Sequence, residues 1–474
     1  MLQNLRPFVF MGLVSLFWLS GCMSTPVSNR STEEGSKESP PTPTPTAELS
    51  VAKKEVLALT EQIPVYRYIF KNGLKVMIVE DHTSPTFAYQ TWYRVGSKDE
   101  VPGKTGLAHL FEHMMFKETK NLKDGEFFRT LEASGSEGEN AFTNRDYTAY
   151  IQELPKEHLD MIARLESERM VNLMVNDQSF RTEREVVQNE RRFRYENNPD
   201  GMMYQNIFEL AFKEHAYRWP VIGYEQDLNS MSGQDAQAFY RSYYSPNHAT
   251  IVVVGDVTPK EVISTINKHY GHLKAQRFAN KKGHPEPQQK SARKKTLSLN
   301  IQVQKLLLGY HIPDIKHPDI PAILVFQSIL GNGKSSRLYK ALVEKGISSS
   351  VDTYGLDDRD PSLFLISSNL QDGKKAVVAE GVILTEIGRL RDKLVDPNEL
   401  ERAKNKIDFD FYQGLESNYL KAQFLGTYET VADDFRVALK HHTKMIAVSA
   451  KDVQRVARQY FNPNTRNTIA GVQK

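Results

Sequence analysis

A chain of 474 residues with 40% hydrophobic and 25% charged content has the composition of a globular protein, and its length excludes one ordinary core in favour of two or three domains. Its 61 basic residues are nearly matched by 58 acidic ones and no basic run forms a stripe, so charge gives no case for a nucleic-acid partner. The single cysteine excludes a disulfide framework.

At the N-terminus, Arg6 precedes the apolar run Pro7 to Leu19, which is too short to span a bilayer but suits the h-region of a secretory signal. The run ends in Leu19-Ser20-Gly21-Cys22, which resembles a bacterial lipoprotein signal. Residues 1–22 are therefore expected to be a signal peptide, with Cys22 lipidated as the mature N-terminus and the protein tethered to a membrane it does not cross. Met23, where aspartate is the retention signal in such lipoproteins, points by the same resemblance to the periplasmic side of the outer membrane. Residues 23–55, with the repeat Pro-Pro-Thr-Pro-Thr-Pro-Thr from Pro40, are expected to be a disordered tether.

Folded structure is expected from residue 56. Tyr66–Phe70 and Leu74–Val79 flank Asn72-Gly73, a strong hairpin signal, and Thr86–Val95 reads as a third strand. Next comes Gly106-Leu-Ala-His-Leu-Phe-Glu-His-Met-Met-Phe-Lys117, where Leu107, Leu110, Phe111 and Met114 repeat as a buried helical stripe. On such a helix His109 and His113 stand about 6 Å apart along the axis, with Glu112 on a neighbouring position. The order His-x-x-Glu-His is that of the inverzincins: two imidazoles share one zinc, and Glu112 is placed to act as general base on a water whose pKa the metal lowers. A zinc site of this kind needs a third ligand. A helix at Phe127–Ala133, strand-like residues from Asn140 to Tyr150 and helices at Leu159–Leu173 and Asp177–Tyr195 follow, the last carrying Glu183, Glu185 and Glu190.

His109-Leu-Phe-Glu-His113, the 77-residue spacing from His113 to Glu190, and Thr182-Glu-Arg-Glu-Val-Val-Gln-Asn-Glu190 together resemble the pitrilysin family, which includes insulysin and the mitochondrial processing peptidase. The resemblance covers nearly everything after residue 60. It implies an α+β fold: two homologous α/β domains, each a mixed sheet packed with helices, forming half of a clam-shell chamber. Residues 56–273 would be the zinc-binding domain, 274–295 a linker and 296–474 the second domain. By the resemblance Glu190 is the third ligand to one zinc ion, Glu183 a carboxylate that orients a ligand, and Asn140-Ala141 part of the edge strand to which an extended peptide adds.

Gly331-Asn-Gly-Lys-Ser does not meet the phosphate-loop spacing and resembles instead a helix start of the family. Complete members carry an arginine and a tyrosine that hold the substrate carbonyl as it becomes an oxyanion. Here the corresponding positions are Val343 and Ser349 or Ser350, with Arg337 and Tyr339 as the nearby alternatives. Two functions fit. The first is a zinc endopeptidase subunit acting on peptides or unfolded proteins with a homologous partner that supplies the Arg/Tyr pair. The second is a non-catalytic lipoprotein that uses the same fold for assembly or binding.

Overall fold

The computed structural model describes residues 50–277, 283–355 and 357–474. The signal peptide, Cys22 and most of the expected tether lie outside them.

The first half carries strands β1 (Val51–Ala58), β2 (Pro64–Phe70), β3 (Lys75–Glu80), β4 (Thr86–Tyr93), β5 (Glu137–Thr143), β6 (Thr148–Pro155) and β7 (Ala249–Gly255). They form one sheet in the order β1-β2-β3-β7-β4-β6-β5. The Asn72-Gly73 hairpin joins β2 to β3 as expected. One expectation is corrected. Residues 51–55, placed at the end of the tether, pair with β2, because Val51, Val56 and Leu57 can continue the sheet edge. Strand β4 does not follow β3 in space; β7, from more than 150 residues later, lies between them, parallel to β3 with Lys75 opposite Thr250.

Helices of this half are α1 (Leu107–Met114), α2 (Glu126–Ala133), α3 (Leu159–Asn172), α4 (Asp177–Arg191), α5 (Pro199–Ala211), α6 (Glu225–Ser230), α7 (Gly233–Tyr243) and α8 (Pro259–Tyr270). The second half has β8 (Arg293–Leu299), β9 (Lys305–Ile312), α9 (Ile320–Gly331), β10 (Ser348–Gly355), β11 (Ser362–Leu370), five helices α10 (Ala376–Asp392), α11 (Pro397–Gln413), α12 (Asn418–Val431), α13 (Arg436–Ala447) and α14 (Ala450–Tyr460), and β12 (Asn467–Gln473). Its sheet order is β10-β11-β9-β12-β8. The expected linker overlaps β8 from Arg293 onward.

The two sheets repeat one topology. Strands β8 to β12 stand to one another as β3 to β7 do, including the parallel pair, β8 with β12 against β3 with β7. Helix α9 then occupies the place of α1. Every residue of α9 except Leu324 is buried, and its sequence, Ile-Pro-Ala-Ile-Leu-Val-Phe-Gln-Ser-Ile-Leu-Gly, has no metal-ligating side chain.

The halves also exchange helices. Helix α5 packs on β8, β9 and β12 of the second sheet, where Ile207, Phe208 and Phe212 meet Leu307, Leu365 and Ile469. Helix α12 packs in return on β4 and β7 of the first. Met77, Ala88, Trp92, Val252 and Val254 therefore share one core with the second half, while Phe87, Tyr89 and Tyr93 point to the opposite face and the core under α1.

Candidate metal centre

Helix α1 begins at Gly106, whose φ of 92° is left-handed and whose Cβ, were there one, would lie 2.5 Å from the Ile222 carbonyl oxygen. Only glycine fits. The buried Glu100 carboxyl accepts the Gly106 and Ala108 N–H groups at 2.9 and 2.7 Å, satisfying donors that the first turn of the helix leaves without an internal partner, while burial pushes the group well above the usual carboxylate range. Leu107, Leu110, Phe111 and Met114 are buried as the stripe predicts, with Phe111 against Tyr240 and Tyr244 at ring distances of 5.3 and 4.6 Å. That packing turns the histidine edge of α1 toward α4. Helix α4 starts at Asn176, whose side chain accepts the Gln178 and Ser179 N–H groups, and it buries Phe180, Glu183 and Val187.

His109, His113 and Glu190 come together: one ligand atom from each lies within 4.8 Å of the others. Glu190 Oε2 is 3.7 Å from His109 Nε2 and 3.3 Å from His113 Nε2. Donors at the corners of a tetrahedron with zinc–nitrogen and zinc–oxygen bonds near 2.1 Å stand about 3.4 Å apart, so the set fits a zinc ion. The other ring nitrogen of His109, buried, has no hydrogen-bond partner among the described residues.

Among protein charges alone, burial lowers His109 to about 4, which keeps it a neutral ligand. Burial also opposes charge on His113, but Glu183 and Glu190 outweigh it and raise the group to about 10. Glu190 is held near 2: burial works against its charge, and His113, His109 and Arg194 overcome it. Such a fixed carboxylate between two imidazoles is a site built for a cation.

Glu112 is buried, which raises it to about 7, and its Oε2 accepts a 2.6 Å hydrogen bond from Thr143 of β5. Glu183 lies 3.6 Å from His113 Nδ1 and pairs with Lys117 at 2.7 Å. Thr143, Lys117 and Arg194, the last 3.0 Å from Glu190 Oε1, had no role in the sequence reading. No spacing rule could have found Thr143, whose contact with Glu112 crosses from strand to helix.

Asn140 and Ala141 lie on β5, an outer strand paired only with β6 among the described residues, Asn140 opposite Ile151 and Ala141 opposite Tyr150. Val343 ends a helical turn and packs against the core of the second half. Ser349 donates to the Asn369 carbonyl and Ser350 accepts from the Asn369 amide. Arg337 is taken up by a two-pronged pair with Glu399 at 2.8 and 2.7 Å.

Comparison with known proteins agrees with this geometry. Residues 75–224 match the family described as insulinase (peptidase family M16), and residues 230–407 match that described as peptidase M16 inactive domain. The zinc protease PqqE of Helicobacter pylori is 32% identical over 407 residues, 84% of this chain and 90% of that one. An uncharacterized zinc protease, YmxG of Bacillus subtilis, is 26% identical over 84% of this chain and 96% of its own. The crystal structure of a protease from Helicobacter pylori superposes with a TM-score of 0.82 at 31% identity, covering 89% of this chain and 99% of that one. The fold also matches the periplasmic protease PqqL of Escherichia coli, TM-score 0.72 at 18% identity, over 89% of this chain and 48% of that longer one. With an intact His-x-x-Glu-His helix in its first half and an apolar helix at the matching place in its second, the chain belongs to the peptidase M16 family of zinc proteases.

Proposed function

We propose that the protein is an endopeptidase subunit that holds one zinc ion through His109, His113 and Glu190 and cleaves unstructured peptides laid along β5. The observation that carries this is the placement of Glu112, buried between the histidines and hydrogen-bonded to Thr143 on an outer strand of the sheet. An extended peptide paired with β5 would bring its backbone past Glu112. Zinc, when bound, supplies an activated water and polarises the scissile carbonyl. The Glu112 carboxylate takes the proton of the attacking water and returns it to the leaving amine; its raised affinity for a proton suits both steps. Glu183 and Lys117 hold His113 in orientation.

Val343, Ser349 and Ser350 offer no charged donor for the developing oxyanion, and Arg337 is committed to Glu399. A homologous subunit that supplies an arginine and a tyrosine would complete the site. We further propose that the chain is anchored through a lipidated Cys22 at the outer membrane, on the periplasmic side. Mass spectrometry of the native N-terminal peptide tests this, and an unmodified Cys22 in processed protein refutes it.

Elemental analysis and peptide hydrolysis on one preparation test the site. H109A/H113A is expected to lose the zinc, and E112Q to keep one zinc while kcat falls about 10²- to 10⁴-fold. Undiminished turnover in E112Q would remove Glu112 from its role.

A further inference from the structure

We infer that Arg194 is a positioning residue that biases Glu190 toward binding the metal through one oxygen. This rests on the reading of His109, His113 and Glu190 as the zinc ligands. The two carboxylate oxygens of Glu190 have different neighbours. Oε2 faces both imidazoles, and Oε1 is 3.0 Å from Arg194 Nε. A carboxylate whose second oxygen is paired with a guanidinium must break that ion pair before both oxygens can face one cation; the pair spans i to i+4 with a half-exposed arginine, so it biases the carboxylate rather than locking it.

Arg194 lies four places beyond Glu190, the spacing at which helical side chains face each other, and the chain there runs through a wider π-type turn at Arg192–Glu196. Such turns are rare and frequently sit at functional sites. The start of α5 clamps this turn: a Cβ on Gly201 would lie 1.9 Å from the Arg194 carbonyl oxygen, so the two backbones touch. Neighbouring arginines are engaged elsewhere. Arg191 donates to the Gly223 carbonyl at 2.7 Å and Arg192 to the Asn189 side chain at 2.8 Å. Arg194 alone of the three meets the metal ligand.

The consequence is chemical. A catalytic zinc needs three protein ligands and one position for water or substrate carbonyl. Glu190 binding through both oxygens would fill a further position, and Arg194 disfavours it.

The test compares wild type with R194A and R194K by two readouts: zinc affinity in competition with a chelator, and the visible absorption of the cobalt(II)-substituted protein. Zinc affinity in R194A should not fall, because the variant loses a cation beside the ligand and gains a second zinc–oxygen bond, and R194K should stay within about threefold of wild type. The cobalt band of R194A should lose intensity, the signature of a higher coordination number, and regain it in R194K. An unchanged cobalt band in R194A overturns the proposal whatever happens to affinity. If wild type takes up no zinc or cobalt at all, the ligand assignment itself has failed, a distinct result visible before any variant is measured.

Discussion

Thr143 shows how much of this site depends on single contacts between elements. Its hydroxyl donates to Glu112 at 2.6 Å and stands 3.3 Å from the hydroxyl of Thr148, which itself donates to the Val95 carbonyl. A buried carboxylate that must accept and release a proton needs its other oxygen held still. Replacing Thr143 with valine keeps the shape and removes the donor. Loss of a hydrogen bond to a charged group, worth about 1.5–3 kcal/mol, should lower kcat roughly 10- to 100-fold with KM and zinc content unchanged. Steady-state kinetics with metal analysis checks this; a kcat equal to wild type would leave Thr143 a purely structural strand residue. The histidines and Glu112 were legible because their chemistry and helical spacing lie within five residues. Thr143, Lys117 and Arg194 were not, since their meaning comes from what stands opposite them.

At the scale of elements, two close approaches fix where the helices lie. Gly106 lets α1 begin against the Ile222 carbonyl, and Gly426 lets α12 lie on β4. A Cβ at residue 426 would be 2.1 Å from Trp92 Nε1, and Trp92 is fully buried and ringed by Phe142 and Tyr147. The indole has nowhere to move. G426A should therefore destabilise the protein by about 1–3 kcal/mol through overpacking, read as a lowered Tm. Zinc content should stay at wild type, because α1 lies on the other face of the sheet. A Tm unchanged or raised would show that α12 is not seated on Trp92. That α9 stands where α1 does in a second copy of the fold was visible only from strand order.

For the whole molecule, the repeated sheet explains the division of labour. One half carries the candidate ligands on α1 and α4, and in the corresponding place the other offers a buried α9 with no metal-ligating side chain. The arginine nearest the expected oxyanion position is held by Glu399 and would have to break a paired bond to serve. Activity is therefore expected to need a second polypeptide. The purified chain with zinc should cleave an unstructured peptide about 10²- to 10³-fold more slowly than the same chain in complex with the proposed partner that supplies the arginine and tyrosine, the cost of missing an oxyanion donor. A monomer that matches the complex would show that donors within this chain suffice.

From its sequence alone the chain showed a candidate zinc helix at Leu107–Met114, because hydrophobic period and ligand spacing are local properties of the chain, while the two-domain α+β fold came from the family resemblance. The third ligand at Glu190 came from resemblance, and the structure brings it within 3.3 Å of His113. Tertiary structure alone decided that β7 inserts between β3 and β4, that α5 and α12 change partners between the halves, and that Thr143 and Arg194 grip the two carboxylates of the site. These depend on which surfaces exclude water together. A strand of continuous apolar residues such as β7 fits many neighbours equally well by pattern, and only the packed core selects one.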